Sequence, residues 1–241
     1  VEELFERFDD EPLAAASIGQ VHRAKLADGR EVIVKVQRPN VDETLRADLA
    51  LMYQIAKRLK ERVKRLQFVD TVGVVDEFAR TVRQELDYRI EARNAEVVRR
   101  AFDDDPNVTV PSVVWHLTTS RVLVLDWVDG KTLNHVDLAE LTSQEREGLA
   151  RRISETWMKM VFTHGFFQAD PHPANIIVQS PDSIGLIDFG MVGQLSQRDR
   201  EAAVRMFIDA VVQNLERLPR RLRELGMRYP RDREDELREQ L

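Results

Sequence analysis

The sequence predicts an α+β fold in two lobes: a strand-rich first half into which long helices are inserted, and a helical second half holding one small hairpin. Three observations predict it. Apolar and polar residues alternate through Ile18 to Leu26 and again at Val32, Val34 and Val36, with Asp28-Gly29 between the runs as a hairpin turn. Apolar residues then recur at helical spacing over 41–66 and over 70–102. From Ser143 the pattern is helical to about His164, and it becomes helical again after Ser196, leaving only IIV and IGLI around the turn SPDS as short strands.

Each element follows from local chemistry. A short acidic helix is expected at Glu2 to Phe8, and Pro39 ends the second strand of the first hairpin. The helix after it carries Leu45, Leu49, Met52, Ile55, Ala56 and Leu59 on one side. A single second helix is expected from Asp70 to Phe102, then a loop punctuated by Pro106 and Pro111, then a strand pair in VVWHL and RVLVLDWV. Asp129-Gly130 closes that region, so the lobes are assigned as 1–128 and 129–241, with a hinge at Asp126 to Gly130. Ser196 is placed as the N-cap of the last long helix, with Asp199 in its first turn.

Composition narrows the function. At 241 residues, 43% apolar and 32% charged, the chain is large enough to bury a sizeable core. A net charge of −6 gives no overall basic footprint, so nucleic acid is not expected as a partner. The absence of cysteine excludes disulfides, thiolate zinc sites and cysteine nucleophiles. No apolar run approaches the ~18 residues that span a bilayer. The chain starts without Met and stops inside the charged helical pattern REDELREQL, and is read as a piece of a longer protein.

The chemistry concentrates in QADPHPANIIV and GLIDFG. Asp170 and Asn175 are five residues apart, and Asp188 opens an Asp-Phe-Gly triplet after a hairpin, which is the order and spacing of the catalytic and metal-binding loops of protein kinases. Phosphoryl transfer needs hard oxygen ligands for Mg²⁺, a role suited to Asn175 and Asp188, and a carboxylate that orients a nucleophile and accepts its proton, a role suited to Asp170. Lys35 lies in VIVKV, opposite in phase to Val34 and Val36, where a kinase lysine holds the α and β phosphates. Such a lysine requires a carboxylate partner. QELDYRIEARNAE offers Glu85, Asp87, Glu91 and Glu96, with Glu85 and Glu91 on different faces of the expected helix. The turn AAASIGQVHRA occupies the place of a phosphate-binding loop but carries Ala14, Ala15, Ala16 and Ser17, with Gly19 as its one glycine. Alanine restricts the loop to fewer conformations than glycine allows, so it is expected to meet nucleotide with a stiffer, differently aimed set of backbone donors. The five histidines show no metal-ligand spacing, and the basic run from Lys57 to Leu66 is read as a solvated helix face.

Taken in order, AAASIGQVHRA, VIVKVQRP, ELDYRIEARNAE, FFQADPHPANIIV and GLIDFGMVG resemble the UbiB-like atypical kinases, also called the aarF-domain or ADCK family. The resemblance implies a protein-kinase-like fold, ATP or ADP with Mg²⁺ as cofactors, Lys35 paired with Glu91, and Asp170, Asn175 and Asp188 in catalytic and metal-binding roles. It adds an accessory acidic motif at Glu85 and Asp87, and contact of adenine with the backbone of Asp126 and Val128. It also implies ATPase or small-molecule kinase activity in support of isoprenoid-quinone biosynthesis or lipid homeostasis. The implied location is cytoplasmic, with the full-length protein peripheral to or anchored at a membrane, and membrane lipid or quinone-pathway proteins as partners. Gln168 and Ala174 stand where the family commonly has His and Gly. After Gly190 the chain passes directly into a helix, without Ala-Pro-Glu or a long activation segment, so no platform for an extended peptide substrate is expected. A nucleotide-sensing scaffold and an antibiotic-kinase-type phosphotransferase are the alternative readings.

Overall fold

The computed structural model describes residues 4–16, 18–62 and 70–226. In chain order its elements are β1 (Phe5–Phe8), β2 (Ala14–Ala15), β3 (Gly19–Leu26), β4 (Glu31–Gln37), α1 (Val41–Arg62), α2 (Thr71–Glu85), α3 (Tyr88–Ala101), β5 (Val108–Thr109) and β6 (Val122–Asp126). These are followed by β7 (Lys131–Thr132), α4 (Ser143–Met158), β8 (Phe166–Gln168), β9 (Ile176–Ser180), β10 (Ser183–Leu186), β11 (Val192–Gln194), α5 (Gln197–Val211) and α6 (Leu218–Glu224). The result is the expected α+β class with its strands concentrated toward the N-terminus. Among the described residues, no helix is long and apolar enough to cross a membrane.

Two compact units are formed. The first takes the described residues up to 100 together with 109–129 and 185–190; the second takes 101–108, 130–184 and the described residues from 191 on. In the first, an antiparallel sheet has the order β1-β3-β4-β6, with β2 paired to the start of β3. The β3–β4 hairpin runs in register from Gly19 opposite Gln37 to Lys25 opposite Glu31, and Gly29 turns it with φ of 88°. Because side chains alternate across the strand, Val32 and Val34 reach one face and join Ala24, Leu26, Val114 and Val124 in a buried cluster. Leu49 and Ala56 of α1 and Val75 and Ala79 of α2 are also buried, and the Tyr53 hydroxyl donates to Asp76 across the pair at 2.6 Å.

Three sequence expectations are corrected here. The segment around Phe5 and Phe8 is a strand, not a helix: a register shift between Phe5 and Arg7 lets two phenylalanines three apart pack on one core, a spacing that imitates helical periodicity. The single helix over 70–102 is two helices. Asp87 breaks it by accepting from the Arg89 amide at 3.0 Å and starting α3, so Glu85 and Glu91 do not share one helix. In VVWHL only Val113 bridges to a strand, at Leu125, and Trp115–Leu117 form a 3₁₀ turn.

A second sheet has the order β5-β10-β9-β7, with β9 and β10 as its central hairpin, and in the second unit β8 pairs with β11. Thr142 caps α4 by accepting from the Glu145 amide at 3.3 Å while Glu145 accepts from the Thr142 amide at 2.8 Å. The helix runs on into a π-helical turn, Lys159–His164, that ends at Gly165 with φ of 66°. Ser196 caps α5 as expected, accepting from the Asp199 amide at 3.1 Å.

Candidate active site

In the first unit the alanine turn is a tight hairpin. Ala14 lies opposite Val21 and Ala15 opposite Gln20, the Leu13 amide donates to the Val21 carbonyl at 2.8 Å, and Ala16 donates to the Gly19 carbonyl at 3.0 Å. Ala14 and Ala15 are exposed and Ala16 is half-buried; Ser17 lies outside the described residues. Gly19 answers to close approach rather than to flexibility. A Cβ there would collide with the Val36 carbonyl oxygen and stand 2.6 Å from the Tyr88 hydroxyl.

Lys35 of β4 is buried, not solvent-facing. Its Nζ donates to Glu91 Oε1 of α3 at 2.5 Å and lies 3.5 Å from Asp188 Oδ2. The lysine and glutamate side chains are 9% and 8% exposed, so the charges are removed from water together. Burial pulls the ammonium's pKa down, but the two carboxylates outweigh it and hold Lys35 above its ordinary value, charged at any physiological pH. For Asp188, burial acts upward, and the Lys35 charge with the Gly190 amide donor at 3.0 Å brings the carboxyl below the usual range. The triplet is held by α3: the Phe189 amide donates to Glu91 Oε1 at 3.4 Å, and Asn94 Nδ2 donates to the Phe189 carbonyl at 2.9 Å. Phe189 itself is fully buried.

Sequence reasoning missed two of these partners. Asn94 stands three residues after Glu91, on the same helix face, and that spacing was its only signal. Tyr88, three residues before Glu91, is buried with its hydroxyl unpaired among the described residues, and burial pushes its pKa up to about 12. The accessory acids part company. Half-buried Glu85 has its carboxyl raised by burial and then by the nearby Asp188 charge. Asp87 instead pairs with Arg89 at 2.8 Å, which lowers its carboxyl. Of the backbone groups expected at adenine, the Asp126 amide is committed to the Ser112 carbonyl at 3.0 Å, and Val128 is buried.

In the second unit Asp170 and Asn175 meet in one loop. Asn175 Nδ2 donates to both the backbone carbonyl and Oδ2 of Asp170 at 3.3 Å. His172 is scaffolding: its Nδ1 accepts from the Ala174 amide at 3.2 Å and its carbonyl from the Asn175 amide at 2.8 Å. Gln168, at the end of β8, is buried, and Asp170 is exposed. With its amide group turned to Asp170, Asn175 presents a carboxamide oxygen, a hard donor. Among the described residues no group of three or more histidine or carboxylate side chains could hold a metal unaided.

The model of the ABC1 atypical kinase-like domain family matches residues 1–221. ACTIVITY OF BC1 COMPLEX KINASE 8, a chloroplastic protein of Arabidopsis thaliana, is 38% identical over 238 residues, covering 95% of this chain and 31% of the relative. A probable protein kinase UbiB from Pseudomonas aeruginosa is 38% identical over 214 residues, covering 86% of this chain and 40% of the relative. The chain thus spans less than half the length of these curated relatives. Among solved structures, Rv3197 of Mycobacterium tuberculosis in complex with erythromycin aligns with a TM-score of 0.76 at 32% identity, over 99% of this chain and 61% of that one.

Proposed function

The chain belongs to the ABC1 atypical kinase-like family, and from that premise we propose that it binds ATP or ADP with Mg²⁺ and transfers the terminal phosphoryl group to water or to a small or lipidic acceptor. The observation that carries this reading is the buried Lys35–Glu91 pair with Asp188 at its side. A lysine fixed by one carboxylate delivers a single point charge in a defined direction, as phosphate positioning requires. Ala14 and Ala15 are the exposed part of the alanine turn and the backbone it presents toward the phosphates, since the Ala16 amide already donates to the Gly19 carbonyl. Asp170, steadied by Asn175, orients the attacking hydroxyl and takes up its proton at Oδ1 or Oδ2. Asp188, ionised, and Asn175, through its carboxamide oxygen, are each hard-oxygen donors of the kind that would hold Mg²⁺, which when bound would neutralise charge on phosphate oxygens. In the whole protein this activity serves isoprenoid-quinone biosynthesis or lipid homeostasis from the cytoplasmic side of a membrane.

Phosphate release and nucleotide binding, measured on the chain with Mg²⁺ for wild type and Asp170→Asn, test the reading. Turnover in wild type that falls by about 10²-fold or more in the variant, with nucleotide affinity kept, supports it. Tight nucleotide binding without turnover in wild type replaces it with a nucleotide-sensing scaffold.

A further inference from the structure

Beyond the nucleotide site, the first unit holds a cavity of about 210 Å³ at the junction of β4, α1 and β6. The sequence QRPN builds it. Pro39 stops β4, and Asn40 takes a left-handed φ of 59°, a conformation asparagine tolerates, turning the chain into α1. Arg38 is thereby left at the strand end and Arg46 falls in the second turn of α1; Arg121, just before β6, has its carbonyl bonded to the Gln37 amide at 3.0 Å. All three arginines line the cavity, together with Gln37, Asp42 and Glu43.

The charges do not cancel. Asp42 is engaged by Arg121 at 3.6 Å, and Arg38 and Arg46 form no ion pair among the described residues, although Asp42 and Glu43 stand at favourable helical spacing from Arg46. Two exposed guanidinium groups therefore face one remaining carboxylate, that of Glu43. Planar guanidinium forks from three separate chain segments fit an anion with several oxygens distributed over a tetrahedron better than a single carboxylate. Size narrows the choice further: at about 210 Å³ the cavity is smaller than the ~300–1,000 Å³ of sites that enclose drug-sized ligands. We propose that Arg38, Arg46 and Arg121 form a second site, for a phosphate monoester or a small phosphorylated headgroup. The site is wired to the alanine turn, because the Arg38 amide donates to the Ile18 carbonyl at 2.9 Å.

The test uses the whole chain, titrated calorimetrically with inorganic phosphate and pyrophosphate and floated with phosphatidylcholine vesicles with and without phosphatidic acid. Arg38→Gln and Arg46→Gln are compared with wild type, and ATP is titrated in parallel. Both side chains are exposed and form no ion pair among the described residues, so melting curves should match. Saturable binding that weakens about tenfold in each variant and with added salt, while any ATP affinity is unchanged, supports the site. Binding of the soluble anions alone identifies a free phosphorylated ligand, and binding only of phosphatidic acid vesicles identifies a lipid headgroup. Absence of saturable binding to every probe, or equal binding by wild type and both variants, overturns the proposal. The phosphate arms are readable whether or not ATP binds, so failure of this site and failure of the nucleotide reading are told apart.

Discussion

Removing one member of the Lys35–Glu91 pair exposes how the site is held. The two side chains meet at 2.5 Å with 9% and 8% exposure, so neither charge has water to fall back on. Truncating one partner of such a pair costs roughly 3–5 kcal/mol, because the other charge stays buried and uncompensated. In a chain of this size each kcal/mol lowers Tm by about 2–4 °C, which places the expected fall at roughly 6–20 °C. The two single variants should differ. Lys35→Met leaves Glu91 and Asp188 without their shared cation and belongs at the upper end; Glu91→Gln leaves Lys35 with Asp188 at 3.5 Å and belongs at the lower end. Lys35→Met/Glu91→Leu removes both charges of the pair and should recover part of the loss; the remainder belongs to Asp188, which loses its cation but keeps 43% of its side chain exposed to water. Urea unfolding and scanning calorimetry on the four proteins read these differences. A loss under about 1 kcal/mol in both single variants, or a double variant as unstable as the sum of the singles, would refute the claim that the pair is buried and mutually dependent.

Four further variants have expected outcomes. Gly19→Ala should destabilise by about 1–3 kcal/mol through collision with Val36 and Tyr88 and also weaken nucleotide binding. Gly29→Ala, which meets only open space at φ of 88°, should lose about 1–2 kcal/mol with nucleotide affinity intact, and equal affinities in the two variants would detach Gly19 from the loop's function. Thr142→Ala removes the reciprocal cap of α4 and should cost about 0.5–2 kcal/mol in urea unfolding, at the lower end because the cap is exposed. Burial acts upward on the Asp105 carboxyl, but Lys159 at 2.6 Å and Arg152 at 3.6 Å leave it below its ordinary 3.8. A depressed folded value means its stabilisation is present above that pH and is lost as pH falls through the folded pKa, so between about pH 5 and pH 2 wild type should lose stability more steeply than Asp105→Asn.

What the sequence made legible is what is local in the chain. The Asp170, Asn175 and Asp188 spacings, the Asp28-Gly29 turn and the Ser196 cap each involve residues close in sequence, and the structure places the turn and the cap as their chemistry demands. Elements that depend on a distant partner were not legible. Phe5 and Phe8 read as a helix because nothing within the segment records the register shift against β3. The break at Asp87 was hidden by apolar periodicity that continues across it, although an Asp inside a long helical pattern is itself a capping signal.

The four candidate carboxylates show why. Spacing alone could not choose among Glu85, Asp87, Glu91 and Glu96, since each lies in a run of alternating charges. Tertiary packing chooses: Asp87 turns back on Arg89, Glu96 pairs with Arg99 at 3.4 Å, Glu85 stays half-buried, and only Glu91 meets Lys35. The same holds for the lysine. Alternation puts Lys35 on the face opposite Val34 and Val36, and an average strand would leave that face to water. Covering by α3 makes it a buried cation, and a buried cation must bring its own acids. The family resemblance therefore supplied the Lys35–Glu91 pairing in advance of any physical reason in the sequence, and the reason lies in the helix that covers the strand.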